Sequence, residues 1–256
     1  MKLRGKVAIV TGGGRGIGRA AALALGREGA AVALAARSAV EIEAVAREVR
    51  DLGAQAIPVA TDVACEDDIA RLSRRTLETF GRIDILVNNA GIGLPLRDVV
   101  DLGLDEWSRV LQVNLTGPFL CAKAVLPSMI RQRWGKIINI SSLGGQVGVA
   151  GNSAYGASKA GLLLFTRCLA AEVKRHGIDV NAICPSGTDT RLLREMGRAE
   201  GRTNLMQPEE IANTILFLVS PESSAVTGTV IETYGLSNPL FGPLTRVEQE
   251  ESSGSS

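Results

Sequence analysis

The 256-residue chain is short of the side chains on which most catalytic schemes rest, with one His, two Tyr, two Trp, four Cys and 4% aromatics. A Ser-His-Asp triad would have to use His176, the sole imidazole. The cysteines Cys65, Cys121, Cys168 and Cys184 are never closer than 16 residues. They offer no paired thiols for zinc or redox exchange, and four scattered thiols in so long a chain do not make a secreted disulfide scaffold. They read as small apolar residues in a reducing compartment, and no metal is expected.

Charge of one sign is missing too. The 28 basic and 27 acidic side chains leave a net charge of +1, without the basic field that grips phosphate backbones, so nucleic acid is not an expected partner. Arg27 and Glu28 interrupt the Ala/Leu run from Ala20, well short of the ~18 residues a membrane span needs. The N-terminal MKLRGKVAIVTGGG has a short apolar run that ends in glycines without a cleavage-type segment. The expectation is a cytoplasmic protein with no membrane partner.

What is present is a rhythm of strand-length apolar runs alternating with helical patterns, which predicts parallel strands joined by crossover helices. Seven strands are expected, near Val7–Thr11, Ala31–Ala36, Ala54–Ala60, Ile83–Asn88, Lys136–Ser141, Ile178–Cys184 and Thr229–Glu232. Most are continuously apolar, as in a sheet covered on both faces. No linker divides residues 1–246, read as one domain, and the acidic then Ser/Gly-rich residues 247–256 are expected to form a disordered tail.

The first expected strand runs into Thr11-Gly12-Gly13-Gly14-Arg15-Gly16-Ile17-Gly18, and an Ala-rich helix follows. Glycines in that context let the backbone turn tightly and approach a pyrophosphate, whose charge the helix N-terminus attracts. Farther on, Tyr155 and Lys159 are i and i+4 and share one face of a helix expected to begin near Ser153. A nearby cation favours the phenolate, so it would bring the phenol from its ordinary pKa of ~10 toward neutrality. The alternative is a plain Tyr–Lys pair on a helix face.

Together these motifs resemble the short-chain dehydrogenase/reductase family. The resemblance rests on Thr11-Gly12-x-x-x-Gly16-x-Gly18, Asn88-Asn89-Ala90-Gly91, Asn114, Ser142 and Tyr155-Gly156-Ala157-Ser158-Lys159, and it extends from Lys6 to about Gly235. It implies an α/β fold, a single-domain Rossmann-type doubly wound parallel sheet of about seven strands flanked by helices. It also implies hydride transfer between a nicotinamide and a carbonyl carbon, with Asn114, Ser142, Tyr155 and Lys159 catalytic. Tyr155 would give the proton, Ser142 hold the carbonyl oxygen, Lys159 bind the ribose, and Asn114 hold a relay water. Ser141 is the rival serine, but the 13-residue spacing to Tyr155 selects Ser142.

Cofactor contacts are expected from Thr11, Gly12, Gly14, Arg15, Gly16, Ile17, Gly18, Arg37, Asp62, Val63, Asn89, Ala90, Gly91, Tyr155, Lys159, Pro185, Thr188 and Thr190. After the second strand the position that would hold a 2′-hydroxyl carboxylate is Ala36, and Arg37 follows it. With Arg15 this favours NADP(H) over NAD(H), against the alternative of ordinary surface arginines. Two stretches depart from the family pattern. Ser186 replaces a glycine after Pro185, which predicts an altered loop by the nicotinamide. Glu232-Thr233-Tyr234-Gly235 replaces an Asp-Gly-Gly segment tied to subunit contacts.

Substrate choice should lie in Gly93–Leu96, Leu143–Asn152 and Arg191–Gln207. The last carries Arg191, Arg194, Glu195, Arg198, Glu200 and Arg202, consistent with either a mobile solvated lid or a charged substrate. The nearest family pattern is that of 3-oxoacyl-carrier-protein reductases. Arg131 and Arg133 match a basic docking position for an acidic carrier, and His176 falls at the other. A homotetramer or homodimer is implied. A non-catalytic dinucleotide-binding module and a sugar-nucleotide epimerase or dehydratase remain as alternatives, the latter disfavoured for want of a larger substrate domain.

Overall fold

The computed structural model describes residues 1–201 and 203–235. Arg202 and the expected tail at 247–256 lie outside the described residues. Seven strands form one sheet: β1 (Val7–Thr11), β2 (Ala31–Ala36), β3 (Ala56–Ala60), β4 (Ile85–Asn88), β5 (Gly135–Ile140), β6 (Ile178–Pro185) and β7 (Val230–Thr233). Their order is β3-β2-β1-β4-β5-β6-β7. Every pairing is parallel, from Val7 opposite Ala31 to Pro185 opposite Thr233. The order reverses at β1, between β2 and β4. A crevice opens there at the carboxyl ends of the strands, as doubly wound sheets require.

Helices cover both faces. On one lie α1 (Gly16–Arg27), α2 (Ala39–Asp51) and α8 (Pro208–Val219), packed over Ala8, Val10, Val32 and Leu34. On the other, α3 (Glu66–Phe80), α5 (Gly117–Gln132) and α6 (Ser153–Val173) cover Ile9, Ala33, Leu86 and Ile137. Alternate strand residues point to opposite faces, so the continuous apolar runs fill two cores at once. The short helices α4 (Leu104–Leu111) and α7 (Arg191–Glu195) flank the crevice.

The helical run Leu104–Gln132 is long and apolar enough to cross a membrane by length and composition, but half of it is buried inside the fold. It is broken by a π-helical turn at Gln112–Thr116, next to Pro118. Burial of Cys121, Ala122, Val125 and Met129 against the sheet makes it a core helix.

Candidate active site

The glycine loop leaves β1 at Thr11 and enters α1 at Gly16. Gly12 (φ 64°) and Gly16 (φ 52°) occupy the left-handed region that side chains disfavour. At Gly18 a Cβ would overlap the Gly12 carbonyl oxygen and lie 2.6 Å from Asn89 Nδ2. Close packing of helix on strand therefore needs glycine there. Thr11 is buried: its hydroxyl accepts the Asn89 and Ala90 N–H groups at 3.0 and 3.1 Å and donates to the Val87 carbonyl at 3.3 Å. Asn89 Nδ2 returns hydrogen bonds to the Thr11 and Gly12 carbonyls at 2.9 and 3.2 Å. The two loops over the sheet's switch point are thus tied together.

These loops wall a cleft of about 1010 Å³. Most of the expected residues line it, including Gly12, Gly14, Arg15, Gly16 and Ile17, then Arg37, Asp62 and Val63, then Asn89, Ala90 and Gly91. Ser142, Tyr155, Lys159, Pro185, Thr188 and Thr190 complete that set. Thr11, Gly18 and Asn114 do not line it. They stand behind the wall, where the first two pack the glycine loop and the third supports Ile92. Both Asn114 amide atoms engage the Ile92 backbone at 2.9 Å, and Nδ2 also donates to Ser158 Oγ at 3.1 Å. The sequence signalled Asn114 but gave no role to Ser158, quoted only as part of the Tyr155–Lys159 motif, or to Ile92, which hold it.

Polar residues that the sequence did not single out bridge the cleft mouth. Glu41, one turn into α2, pairs with Arg15 at 3.3 Å and with Arg191 of α7 at 3.9 Å. Arg109 pairs with Asp62 at 3.0 Å. Burial would raise the Asp62 carboxyl, yet the Ala64 N–H and the Arg109 and Arg37 cations hold it below its ordinary value. The Ser38 hydroxyl accepts the Glu41 N–H at 3.3 Å, a Ser-x-x-Glu capping pattern that would have marked this spot in the sequence had it been read.

At the inner end Lys159 is buried and donates to the Ile140 carbonyl at 2.9 Å. Its Nζ lies 5.7 Å from the Tyr155 ring centre. Burial pushes this ammonium down to about 8. Burial also pushes the Tyr155 phenol above its ordinary value, outweighing the lowering by a hydrogen bond with Ser142 and by the Arg198 charge. This reverses the expected direction, because desolvation disfavours the charged forms of both groups. The rival serines separate cleanly. Ser141 is buried and its hydroxyl donates to the Lys159 carbonyl at 2.9 Å, clamping β5 to α6. Ser142 is half-buried, accepts the Gly144 N–H at 3.1 Å and bonds Tyr155.

Ser186 is accommodated in its loop without left-handed backbone. Among the described residues only Arg133 has a positive φ without being glycine, so Ser186 is unstrained. Its N–H reaches the Thr233 carbonyl at 2.8 Å, and Gly187 and Asp189 are laced to Met206 by backbone hydrogen bonds. The Tyr234 hydroxyl donates to Glu232 at the surface.

The family model described as short chain dehydrogenase matches residues 6–201. The chain is a short-chain dehydrogenase. It is 41% identical to the 3-oxoacyl-[acyl-carrier-protein] reductase of Synechocystis sp. over 91% of this chain and 97% of that protein. It is 40% identical to the cis-4-hydroxycyclohexanecarboxylate dehydrogenase of Sinomonas cyclohexanicum over 90% and 95% of the two chains. The crystal structure of a short-chain type dehydrogenase/reductase from Mycobacterium marinum superposes with a TM-score of 0.88 at 33% identity, covering 93% and 97%. This short-chain dehydrogenase is therefore an oxidoreductase of CH–OH and carbonyl groups, in a family that binds NAD(P)(H).

Proposed function

We propose that the chain is an NADP(H)-dependent carbonyl reductase, interconverting a ketone and a secondary alcohol with Tyr155 as the proton donor. The observation that carries this reading is the meeting of Tyr155, Ser142 and Lys159 on one wall of the cleft whose other wall is the glycine loop. The residues present fit a dinucleotide. The loop leaves no room for a Cβ at Gly18, exposes the start of α1, and places Arg15 and Arg37 on the cleft wall for a 2′-phosphate. When bound, the reduced cofactor supplies the hydride.

Tyr155, held protonated by burial, gives its proton to the oxygen that gains charge. Ser142 donates a hydrogen bond to the same oxygen. Lys159 holds the ribose with Tyr155 and passes protons onward. Because the Asn114 side chain is committed to Ile92 and Ser158, its backbone carbonyl is the group that holds the relay water. Pro118, four residues on, has no N–H to offer that carbonyl.

The name of the Synechocystis relative and a basic surface support a 3-oxoacyl thioester presented by an acidic carrier as substrate. Arg131 and Arg133 are exposed, and Arg133 lies against Gly177 beside His176. Exposed Leu104, Phe119 and Leu164 on α4, α5 and α6 support subunit contacts of a homotetramer or homodimer. The free exposed thiols Cys65 and Cys168 support a reducing, cytoplasmic setting. The test follows nicotinamide absorbance with NADPH and NADH against 3-oxoacyl thioesters, simple ketones, sugars and steroids. Turnover with NADPH ahead of NADH is expected, and no turnover with either cofactor would overturn the reading.

A further inference from the structure

Five arginines line the cleft, namely Arg15, Arg37, Arg109, Arg191 and Arg198. Arg15 and Arg191 share Glu41, Arg191 also holds Glu195, and Arg109 holds Asp62. Among the described residues Arg37 and Arg198 have no carboxylate within ion-pair distance. Arg37 follows β2, where the proposed dinucleotide accounts for its charge. Arg198 is at the other end, half-buried, and its charge acts on the Tyr155 phenol.

Arg198 is not placed there by a loose loop. The chain leaves α7 through Met196 and Gly197, with Gly197 at φ 68°, and the Gly197 and Arg198 N–H groups bond the Arg194 and Leu193 carbonyls at 2.9 and 3.0 Å. This glycine-capped, back-bonded helix end fixes the Arg198 backbone relative to α7. Buried Met196 anchors α7 in turn, lying so close to Gly93 that a Cβ there would collide with its sulfur. The cleft lining also includes the aliphatic Ile92, Leu143, Val147, Val149, Leu192 and Leu193, beside the uncharged polar Ser186, Thr203 and Asn204.

An unneutralised guanidinium among aliphatic side chains matches a ligand of the same pattern, an apolar skeleton carrying one anion. We infer that Arg198 pairs with a carboxylate on the substrate itself, so that the compound bearing the reacting carbonyl is an oxo acid with an apolar skeleton. This rests on the carbonyl-reductase reading but not on the thioester substrate, whose acyl chain has no carboxylate for Arg198 to pair with.

The experiment compares 4-oxocyclohexanecarboxylate with its methyl ester, using NADPH and NADH, in the wild type, Arg198→Ala and Arg198→Lys. In the wild type the acid is expected to exceed the ester in kcat/KM by ~10-fold or more, the scale of one charged hydrogen bond. In Arg198→Ala that ratio falls toward one, chiefly through a higher KM for the acid, and Arg198→Lys restores part of it. Gly197→Ala, which strains the cap, shifts the ratio the same way. Equal use of acid and ester by the wild type, or a preference that survives Arg198→Ala, would overturn the inference alone. No oxidation of either cofactor with acid, ester or a 3-oxoacyl thioester would overturn the reductase reading beneath it.

Discussion

The two ends of the cleft are built from different materials. At the glycine-loop end the contacts are mainly backbone: Gly12, Gly14 and Gly16 line the wall, and Thr11 and Asn89 hold the loops by bonding main-chain groups. At the Tyr155 end the wall is made of side chains, with Ser142, Tyr155, Lys159 and Arg198 among aliphatic residues. Backbone recognition depends on glycines at fixed spacing, which a sequence displays directly. Side-chain recognition depends on which charges are already neutralised, which requires the fold.

Breaking each end should therefore give different losses. Ser142→Ala, at the side-chain end, is expected to lower kcat by ~10²–10³-fold with little change in melting temperature, as for loss of one donor to a developing oxyanion. Steady-state kinetics and a thermal scan on the same sample check this. At the backbone end, Gly18→Ala forces a Cβ onto the Gly12 carbonyl and is expected to lose about 1–3 kcal/mol of stability. Urea unfolding measures it, and a wild-type midpoint would show that the loop yields freely.

Arg37→Ala tests whether a side chain also matters at the backbone end. The ratio of kcat/KM for NADPH over NADH is expected to fall ~10-fold, the scale of a charged hydrogen bond lost. A wild-type NADH preference would remove Arg37 and Arg15 from the account. The smallest effect is one of pH. Lys159 titrates at about 8 when folded against an ordinary value of 10.5. Between those values the unfolded chain binds the extra proton, so the penalty of burying this lysine fades and stability rises with pH. Tyr155, Cys121 and Cys184, pushed upward by burial, act in the opposite sense, so the comparison is with Lys159→Met. From pH 7.5 to 9 the wild type should gain on that variant by about 1 kcal/mol. Parallel urea curves would show otherwise.

Most of the frame was legible from sequence because a sheet covered on both faces writes its strands as continuous apolar runs. All seven strands fall at the expected places, and β1 and β2 match residue for residue. α6 begins at Ser153, where the helix carrying Tyr155 and Lys159 is expected to start. Both Ser141 and Ser142 line the cleft, and what separates them is that the Ser141 hydroxyl is spent on the Lys159 carbonyl.

Other features were not legible because they depend on burial or on distant partners. The direction of the Tyr155 shift follows from desolvation, which no i, i+4 spacing reveals. Asn114 reads as a site residue, yet only the fold shows its side chain committed to Ile92, 22 positions away. Six charged residues between Arg191 and Arg202 look alike in sequence; the pairing of Arg191 and Arg194 with Glu41, Glu195 and Asp189 is what sets Arg198 apart.

The most direct test of the account is turnover by Tyr155→Phe, which keeps the ring packed on α6 and removes only the hydroxyl. With NADPH and any ketone the wild type reduces, the variant is expected to lose ~10²–10⁴-fold in kcat while unfolding at the wild-type urea concentration. Undiminished turnover would contradict the assignment of Tyr155 as the acid and pass that role to another group in the cleft.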